Sequence, residues 1–256
     1  MELTNEEKAT FYRDGYVTLR GIVPRDMVDA ARHAVNHSLG EQGMDKHDLP
    51  VLRTTSYCKD IFGSKTITGL VDNSPVLPLV ESLLGKGNVT AVRVGRIALN
   101  FPRVPGSRRI EPSGHIEGLG WGSNGLEKGT YIRDFAVFAV ILLSDLRCAF
   151  GGNFTVWPGS HEAVAQYLFE NGHERLSDGT PRVALPRGPV QITGAPGDIV
   201  LAHYLLLHCA APNHAPDIRY AVIFKLRHKT CDPMDRSAYT NIWREFPGLQ
   251  LNQLVS

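Results

Sequence analysis

A chain of 256 residues with 43% hydrophobic and 21% charged residues has the composition of a globular protein large enough to bury a substantial core. Its formal net charge of +1 gives no electrostatic field that would favour a nucleic acid or an anionic membrane as a partner. The longest apolar run, residues 135–143, is far shorter than the roughly 20 residues that span a bilayer. We therefore expect a soluble protein with no nucleic-acid or membrane partner.

The cysteines and the opening residues bear on the cellular compartment. Cys58, Cys148, Cys209 and Cys231 show no paired spacing, which favours reduced thiols. The charged opening MELTNEEKATFYRDG lacks the apolar segment of a signal peptide. These features predict a cytoplasmic protein, and no feature of the sequence indicates an oligomeric state.

Residues 1–86 are predicted to be largely helical. Thr4 with Glu7 three positions later forms a capping-box pattern that opens a short helix, and YVTLR then predicts a strand. The apolar spacing of PRDMVDAARHAVNHSLG predicts a second helix that stops at Gly40. SPVLPLVESLLGKG predicts a third helix, closed by Gly85.

Strand-like runs dominate from about residue 87 to residue 230, and a short tail follows. Gly-, Pro- and Asn-rich loops separate the runs NVTAVRVGRIALNFP, FAVFAVILLSDL, FTVWP, PVQIT, GDIVLAHYLLLH and RYAVIFKLRH. One more helix is predicted around PGSHEAVAQYLF. Helices followed by many strands predict a mainly β core, a sandwich or barrel, with flanking helices. No repeat or linker divides the chain, so we expect a single domain over residues 1–256.

The stretch SGHIEGLG places a histidine and a glutamate two positions apart. In an extended strand such residues point to the same face, so His115 and Glu117 would project together while Ile116 is buried on the other side. An imidazole nitrogen and a carboxylate oxygen placed in this way reach one metal ion at about 2 Å. The H-x-E spacing also arises by chance, so a strand end without function is the alternative.

A third metal ligand and an anchor for an anionic ligand are supplied by His208 and Arg219, which lie much later in the chain. The predicted strand IVLAHYLLLH ends at His208, and Arg219 opens the next β-rich run. Two histidines and a carboxylate with open positions form the facial arrangement of non-haem Fe(II) oxygenases, and the planar fork of arginine binds a carboxylate. His203 would face the opposite side of the His208 strand, and we interpret it as a packed histidine. Lys225 and Arg227 are interpreted as surface charges, and an ordinary ion pair is the alternative for Arg219.

The chain resembles the phytanoyl-CoA dioxygenase family of Fe(II)/2-oxoglutarate-dependent oxygenases over most of its length. The resemblance is carried by FYRDGYVTLRGIVP, LNFP, GGNFTVWPGSH and GDIVLAHYLLLHCAAPN with Arg219. It implies a double-stranded β-helix, a relative of the jelly-roll and cupin folds. It also implies Fe(II) held by His115, Glu117 and His208, and 2-oxoglutarate whose distal carboxylate pairs with Arg219. O2 and a small-molecule substrate would complete the reaction.

The resemblance also assigns residues around the metal ligands. Ile97, Ile141 and Ala210 fall near positions that line the co-substrate in relatives, and so does the region around Lys59. Thr155 and Trp157 lie on a strand expected to border the site, with simple core packing as an equal alternative. The glycine-rich segment GLGWGSNGLEKGTYIRDF predicts a lid whose substrate-facing residues are Trp121, Asn124 and Tyr131.

One departure from the family is Glu117, because the family usually carries H-x-D. Glutamate is one methylene longer, so either the strand lies farther from the metal or the side chain folds back. The favoured activity is hydroxylation of a small molecule with release of succinate and CO2. A cupin-type metalloenzyme that does not use 2-oxoglutarate and a catalytically silent jelly-roll binding protein are the alternatives. Nothing in the sequence marks a coenzyme A pocket, so the substrate is left open.

Overall fold

Two antiparallel sheets form the centre of the molecule in the computed structural model, which describes residues 1–122 and 124–250. The strands are β1 (Tyr16–Leu19), β2 (Arg96–Asn100), β3 (Val137–Leu142), β4 (Phe154–Val156), β5 (Val190–Gln191), β6 (Ile199–His203), β7 (His208–Ala210) and β8 (Arg219–Leu226). The larger sheet has the order β1-β6-β3-β8-β2 and the smaller one the order β5-β4-β7. This confirms the predicted double-stranded β-helix. Because β1 pairs with β6, the N-terminal part shares a sheet with the β core.

Helices lie along the N-terminal part and after β4. Their bounds are α1 (Asn5–Asp14), α2 (Arg25–Gln42), α3 (Leu49–Thr54), α4 (Lys65–Asp72), α5 (Val76–Leu84) and α6 (Ser160–Asn171), with short 3-10 helices at His173–Asp178, Arg236–Tyr239 and Pro247–Leu249. Searched over its described residues, the chain has no helix long and apolar enough to cross a membrane.

The helix ends agree with the sequence at two places and differ at a third. The capping box before α1 is present, with the Thr4 hydroxyl accepting from the Glu7 amide and the Glu7 carboxylate accepting from the Thr4 amide. Gly85 caps α5 as predicted. The predicted stop at Gly40 is wrong, because α2 continues to Gln42 and is capped by Gly43. A single glycine costs a helix only about 1 kcal/mol, which is too little to stop α2 at Gly40.

The predicted strand IVLAHYLLLH is in fact two strands in different sheets. β6 ends at His203, a turn follows, and β7 begins at His208. The Leu207 amide at the end of this turn donates to the Ser160 hydroxyl at 2.9 Å, which holds the turn against α6. His203 is fully buried, with Nε2 3.1 Å from the Ile242 carbonyl oxygen, so it is a packed histidine as interpreted from the sequence. Alternation along one strand is not the reason, because His203 and His208 lie on different strands.

Two buried histidines make the stability of the fold sensitive to acid. His161 and His203 are both 0% exposed. Burial lowers the pKa of His161 to about 4, and burial together with His161 holds the pKa of His203 well below its usual range. In the unfolded chain both side chains bind protons near the ordinary histidine pKa of about 6.5. The unfolded state therefore binds more protons than the folded state once the pH falls below that value.

We expect the free energy of unfolding to fall as the pH drops below about 6.5. His161 and His203 together contribute about 2.7 kcal/mol per pH unit to the slope near pH 5, because they take up about two protons on unfolding. Urea unfolding at about pH 7.5, 6 and 5 measures this slope. His33, which is exposed on α2, gives the control. His33→Asn should leave the slope unchanged, and a pH-independent unfolding midpoint in the wild type would contradict the prediction.

Candidate metal centre

His115, Glu117 and His208 converge on one point at the wall of a cavity between the sheets. Each offers a ligand atom, and these atoms all lie within 4.8 Å of one another. Glu117 Oε2 is 3.8 Å from His115 Nε2 and 3.6 Å from His208 Nε2. Donor atoms that share an ion at about 2 Å lie roughly 3–4 Å apart, so the spacing fits a single metal.

The two histidines meet because their backbones form an antiparallel pair. The His115 amide donates to the His208 carbonyl at 3.0 Å, and the His208 amide donates back at 3.1 Å. Residues directly opposite each other project side by side, and the two rings have centroids 4.7 Å apart. A register fixed by two backbone hydrogen bonds thus brings together residues that lie far apart in the sequence.

Glu117 lies in a turn rather than in the regular strand that the sequence predicts. The turn is fixed by Gly118, which has φ +84° and stands so close to Ile132 that a Cβ would lie 2.0 Å from its carbonyl oxygen. Only glycine fits there. Ile116 is 2% exposed, as expected, so the chain still directs His115 and Glu117 to the same side.

The tautomer of His208 is set by its own turn. Its Nδ1 lies 2.9 Å from the Leu206 carbonyl oxygen. A carbonyl oxygen only accepts, so Nδ1 carries a proton, and Nε2 is the ring nitrogen that faces Glu117. Phe138 and Phe154 pack around the ring, with centroids 4.9 and 5.5 Å away. The ring is oriented for ligation before any metal is bound.

The protonation states of the site suit a divalent cation. Burial, followed by the neighbouring His208, lowers the pKa of His115 to about 4, so its imidazole is neutral at neutral pH. Burial alone would raise the pKa of Glu117, but its interactions with His208, Lys225 and His115 hold it well below its usual range. A neutral imidazole and an ionised carboxylate are the ligand forms that a metal requires. Two imidazoles and one carboxylate fit Fe(II) with open positions.

Lys225, interpreted from the sequence as a surface charge, belongs to this centre. Its Nζ lies 3.0 Å from Glu117 Oε1, while Oε2 faces the two histidines. The side chain also covers the Phe135 ring at 5.3 Å. The alternation of β8 could have revealed it, because Lys225 is an even number of residues from Arg219 and so lies on the same face. The ion pair leaves one oxygen of Glu117 for the metal.

We expect Lys225→Met to weaken Ni(II) binding about tenfold, in the range found for partners that orient a ligand. The reason is that the Glu117 carboxylate loses the contact that fixes its orientation. Isothermal calorimetry measures the effect, with the exposed Lys229→Met as control and Lys225→Arg as partial rescue. Equal affinities for the wild type and Lys225→Met would show that the ion pair does not position Glu117.

The cavity has a volume of about 620 Å³ and brings together part of the predicted site. The predicted residues that line it are His115, Glu117, Trp121, Asn124, His208, Ala210 and Arg219. The predicted residues that do not line it are Lys59, Ile97, Tyr131, Ile141, Thr155 and Trp157. The chemically active groups are therefore collected, and three of the other six residues, Ile97, Ile141 and Thr155, are next to lining residues in the sequence.

Arg219 is a buried cation without an acidic partner. It is 7% exposed, and it donates from Nε to the Gly152 carbonyl at 2.8 Å and from Nη1 to the Ala98 carbonyl at 3.1 Å. Burial, followed by repulsion from Arg96, lowers its pKa to about 10. No acidic side chain of the described residues pairs with it, so the surface ion pair considered from the sequence is absent. A buried unpaired charge is costly, which favours an anionic ligand at this position.

Tyr57 is a lining residue that the sequence did not single out. It is 2% exposed, and its hydroxyl has no partner within the described part of the chain. It acts electrostatically on both Arg219 and Arg96, so the three groups lie near one another. Lys59, which the resemblance placed here, is an exposed turn residue two positions later. Nothing in the local sequence distinguishes Tyr57 from an ordinary core tyrosine.

Ile97 and Ile141 lie on the face of the large sheet that points away from the cavity. Both pair with Val222, in β2–β8 and β3–β8 register. The neighbouring residues Ala98 and Val140 line the cavity instead. Because side chains alternate along a strand, a shift of one residue moves them to the opposite face. The assignment from resemblance is thus one position off on both strands.

Thr155 and Trp157 also lie on the far side of their strand, whereas Phe154 lines the cavity. Trp157 contacts the chain just before the first metal ligand, since a Cβ on Gly114 would lie 2.7 Å from the Trp157 ring. Its position therefore supports His115 from behind. Thr155 is fully buried, in keeping with the core-packing alternative.

The glycine-rich segment after Glu117 folds over one side of the cavity. Trp121, 52% exposed, and Asn124 line the cavity, and the Asn124 amide donates to the Leu119 carbonyl at 2.7 Å. Tyr131 points elsewhere: its hydroxyl is 2.8 Å from His173 Nδ1, and Arg236 covers its ring at 4.5 Å. These contacts anchor the end of the segment. Movement of the segment as a lid stays a prediction.

The chain belongs to the phytanoyl-CoA dioxygenase (PhyH) family, whose sequence profile matches residues 11–221. All three metal-site residues and Arg219 lie within this range. No match is found among curated proteins. The family defines the class of protein to which the fold and the site point.

Solved structures show the same fold at low sequence identity. HygX from Streptomyces hygroscopicus with nickel and 2-oxoglutarate bound is 17% identical, covers 92% of this chain and 91% of its own, and has a TM-score of 0.59. EctD from S. alaskensis is 20% identical, with coverages of 88% and 77% and a TM-score of 0.58. AviO1 from Streptomyces viridochromogenes Tue57 is 15% identical, with coverages of 89% and 96% and a TM-score of 0.53.

Proposed function

We propose that the protein is an Fe(II)- and 2-oxoglutarate-dependent oxygenase that hydroxylates a small molecule. One atom of O2 would enter the product and the other succinate, with loss of CO2 from 2-oxoglutarate. The observation that carries the proposal is a set of two histidines and one carboxylate in the same cavity as a buried arginine without an acidic partner. Among proteins of this fold, HygX has been solved with nickel and 2-oxoglutarate, and EctD with 2-oxoglutarate and 5-hydroxyectoine.

Each residue of the site has a defined task in this proposal. His115, Glu117 and His208 would hold the iron, which when bound supplies the oxidative chemistry. Arg219 binds the distal carboxylate of 2-oxoglutarate, and Tyr57 is placed to donate its unpartnered hydroxyl to the same group. Both hold the co-substrate in one orientation. Arg219 and Tyr57 are themselves buried, which strengthens these electrostatic contacts.

Variants at Arg219 test the proposal. With Fe(II) and ascorbate, the wild type should convert 2-oxoglutarate to succinate slowly even without a substrate. Arg219→Gln should raise the KM for 2-oxoglutarate about tenfold or more, because a charge-assisted pair is lost. The exposed Arg147→Gln is the control, and unchanged Ni(II) affinity shows that Arg219→Gln is folded.

Two outcomes would overturn the proposed function. A wild type that binds metal but neither binds nor consumes 2-oxoglutarate would be a cupin-type enzyme of another activity. A wild type that binds no metal would be a silent binding protein. The net charge of +1 and four free cysteines support our further proposals of a cytoplasmic location and of no nucleic-acid or membrane partner.

A further inference from the structure

The cavity carries more positive charge than the metal site and the co-substrate require. Four arginines line it: Arg53, Arg96, Arg103 and Arg219. Glu117 is the acidic residue of the lining. Its Oε1, the oxygen that does not face the two histidines, is paired with Lys225. None of the four arginines forms a salt bridge within residues 1–122 and 124–250. The excess charge therefore faces the cavity.

Apart from Arg219, Arg96 is the one arginine of these four that is not exposed, and its guanidinium is held by a hydrogen bond. It lies on β2 opposite Ile223 of β8, and both side chains line the cavity. Its Nη2 donates to the Arg53 carbonyl at 2.5 Å, which fixes one side of the guanidinium. Its Nε is buried and has no acceptor among the described residues. Burial lowers its pKa, with Glu117 and Tyr57 opposing the shift. A held guanidinium with an unsatisfied buried donor fits an anionic ligand.

In the proposed function, both carboxylates of the co-substrate already have partners other than Arg96. The distal carboxylate of 2-oxoglutarate would pair with Arg219, and the other carboxylate would lie at the metal held by His115, Glu117 and His208. No third negative group is left for Arg96. The remaining charge must come from the molecule that is oxidised.

Much of the rest of the lining is apolar and marks the body of that molecule. The apolar side chains that line the cavity include Leu99, Phe101, Phe138, Val140, Phe154 and Ile223. Arg53 and Arg103 are exposed members of the lining, placed to attract an anion from solvent. The cavity therefore combines a fixed positive group with an apolar wall.

We propose that Arg96 anchors the substrate and that the substrate is an anion, a carboxylate, sulfonate or phosphate, on an apolar body. This inference rests on the proposed function, because it assumes that 2-oxoglutarate occupies Arg219. Arg96 acts here as a specificity-determining residue, and neutral or cationic molecules of the same shape are poor ligands.

A matched pair of fluorescent probes tests the inference without knowledge of the substrate. Anilinonaphthalene sulfonate is the anion, and N-phenylnaphthylamine is the same ring system without the sulfonate. Binding of each is measured by fluorescence titration to the full chain, loaded with Ni(II) and 2-oxoglutarate and also metal-free. Wild type, Arg96→Gln and the exposed control Arg93→Gln are compared.

We expect the sulfonate to bind the wild type at least about tenfold more tightly than the neutral probe, and Arg96→Gln to remove about tenfold of that affinity while leaving the neutral probe unchanged. Arg93→Gln should behave as wild type. Equal binding of the two probes, or an Arg96→Gln variant with unchanged sulfonate affinity, would overturn the inference.

A parallel titration of 2-oxoglutarate separates this inference from the proposed function. If Arg96→Gln weakens 2-oxoglutarate binding as much as Arg219→Gln does, Arg96 belongs to the co-substrate and the inference is wrong. If the wild type binds no 2-oxoglutarate, the proposed function fails. The metal-free probe titrations still report on Arg96 in that case.

Discussion

His208→Ala is expected to lower Ni(II) affinity by about a hundredfold or more and to abolish succinate formation, because loss of a ligand exceeds the 10–100-fold cost of losing an outer partner. The Nδ1 contact and the backbone pair with His115 direct Nε2 of His208 at the site, and its loss leaves His115 and Glu117 as the remaining ligands of the group. Calorimetry with Ni(II) and a succinate assay with Fe(II) measure the two effects.

The exposed His33→Ala is the matched control for this substitution, since it removes an imidazole from α2 outside the cavity. It should leave both measurements within about twofold of wild type, as expected for a surface substitution. Wild-type Ni(II) affinity in His208→Ala would show that the convergence of the three side chains is not a metal site.

Glu245→Gln is expected to lower the free energy of unfolding by about 3–5 kcal/mol, because it leaves a buried cation without its counter-ion. Arg133 donates from Nη1 and Nη2 to the two oxygens of Glu245 at 2.7 and 2.8 Å. The two side chains are 3% and 2% exposed, and Tyr204 lies under the guanidinium at 4.9 Å. The pair joins the chain before β3 to the C-terminal region. Urea denaturation measures the loss.

The exposed Glu174→Gln is the control for Glu245→Gln, because its contact with His173 is at the surface. Such a contact is worth about 1 kcal/mol or less. A loss below about 1 kcal/mol for Glu245→Gln would contradict the account of a buried bidentate pair. Replacement of both partners, Arg133→Met with Glu245→Leu, should recover much of the stability.

The sequence predicted the chemistry of the site better than its surroundings. The fold class and the capping box of α1 were predicted and are confirmed, and His115, Glu117, His208 and Arg219 are indeed collected around one cavity. These four are unusual residue types at spacings that carry chemical meaning. Their roles as ligands and co-substrate anchor stay predictions until the binding experiments are done.

The residues that sequence analysis missed depend on strand register and on distant contacts. Ile97 and Ile141 were assigned one position away from Ala98 and Val140, because a sequence of continuous apolar residues does not show which face is buried against helices. Lys225 and Arg96 look like ordinary surface charges until β8 and β2 are placed beside the cavity. The break between His203 and His208 was missed because the whole run is apolar, and only the packing of the turn on α6 shows it.

Binding of 2-oxoglutarate with and without metal tests the central claim most directly. The account predicts that the wild type binds 2-oxoglutarate in a calorimetric titration when Ni(II) is present, and at least about tenfold more weakly when Ni(II) is removed. Binding of equal strength with and without the metal, or no binding in either condition, would contradict it.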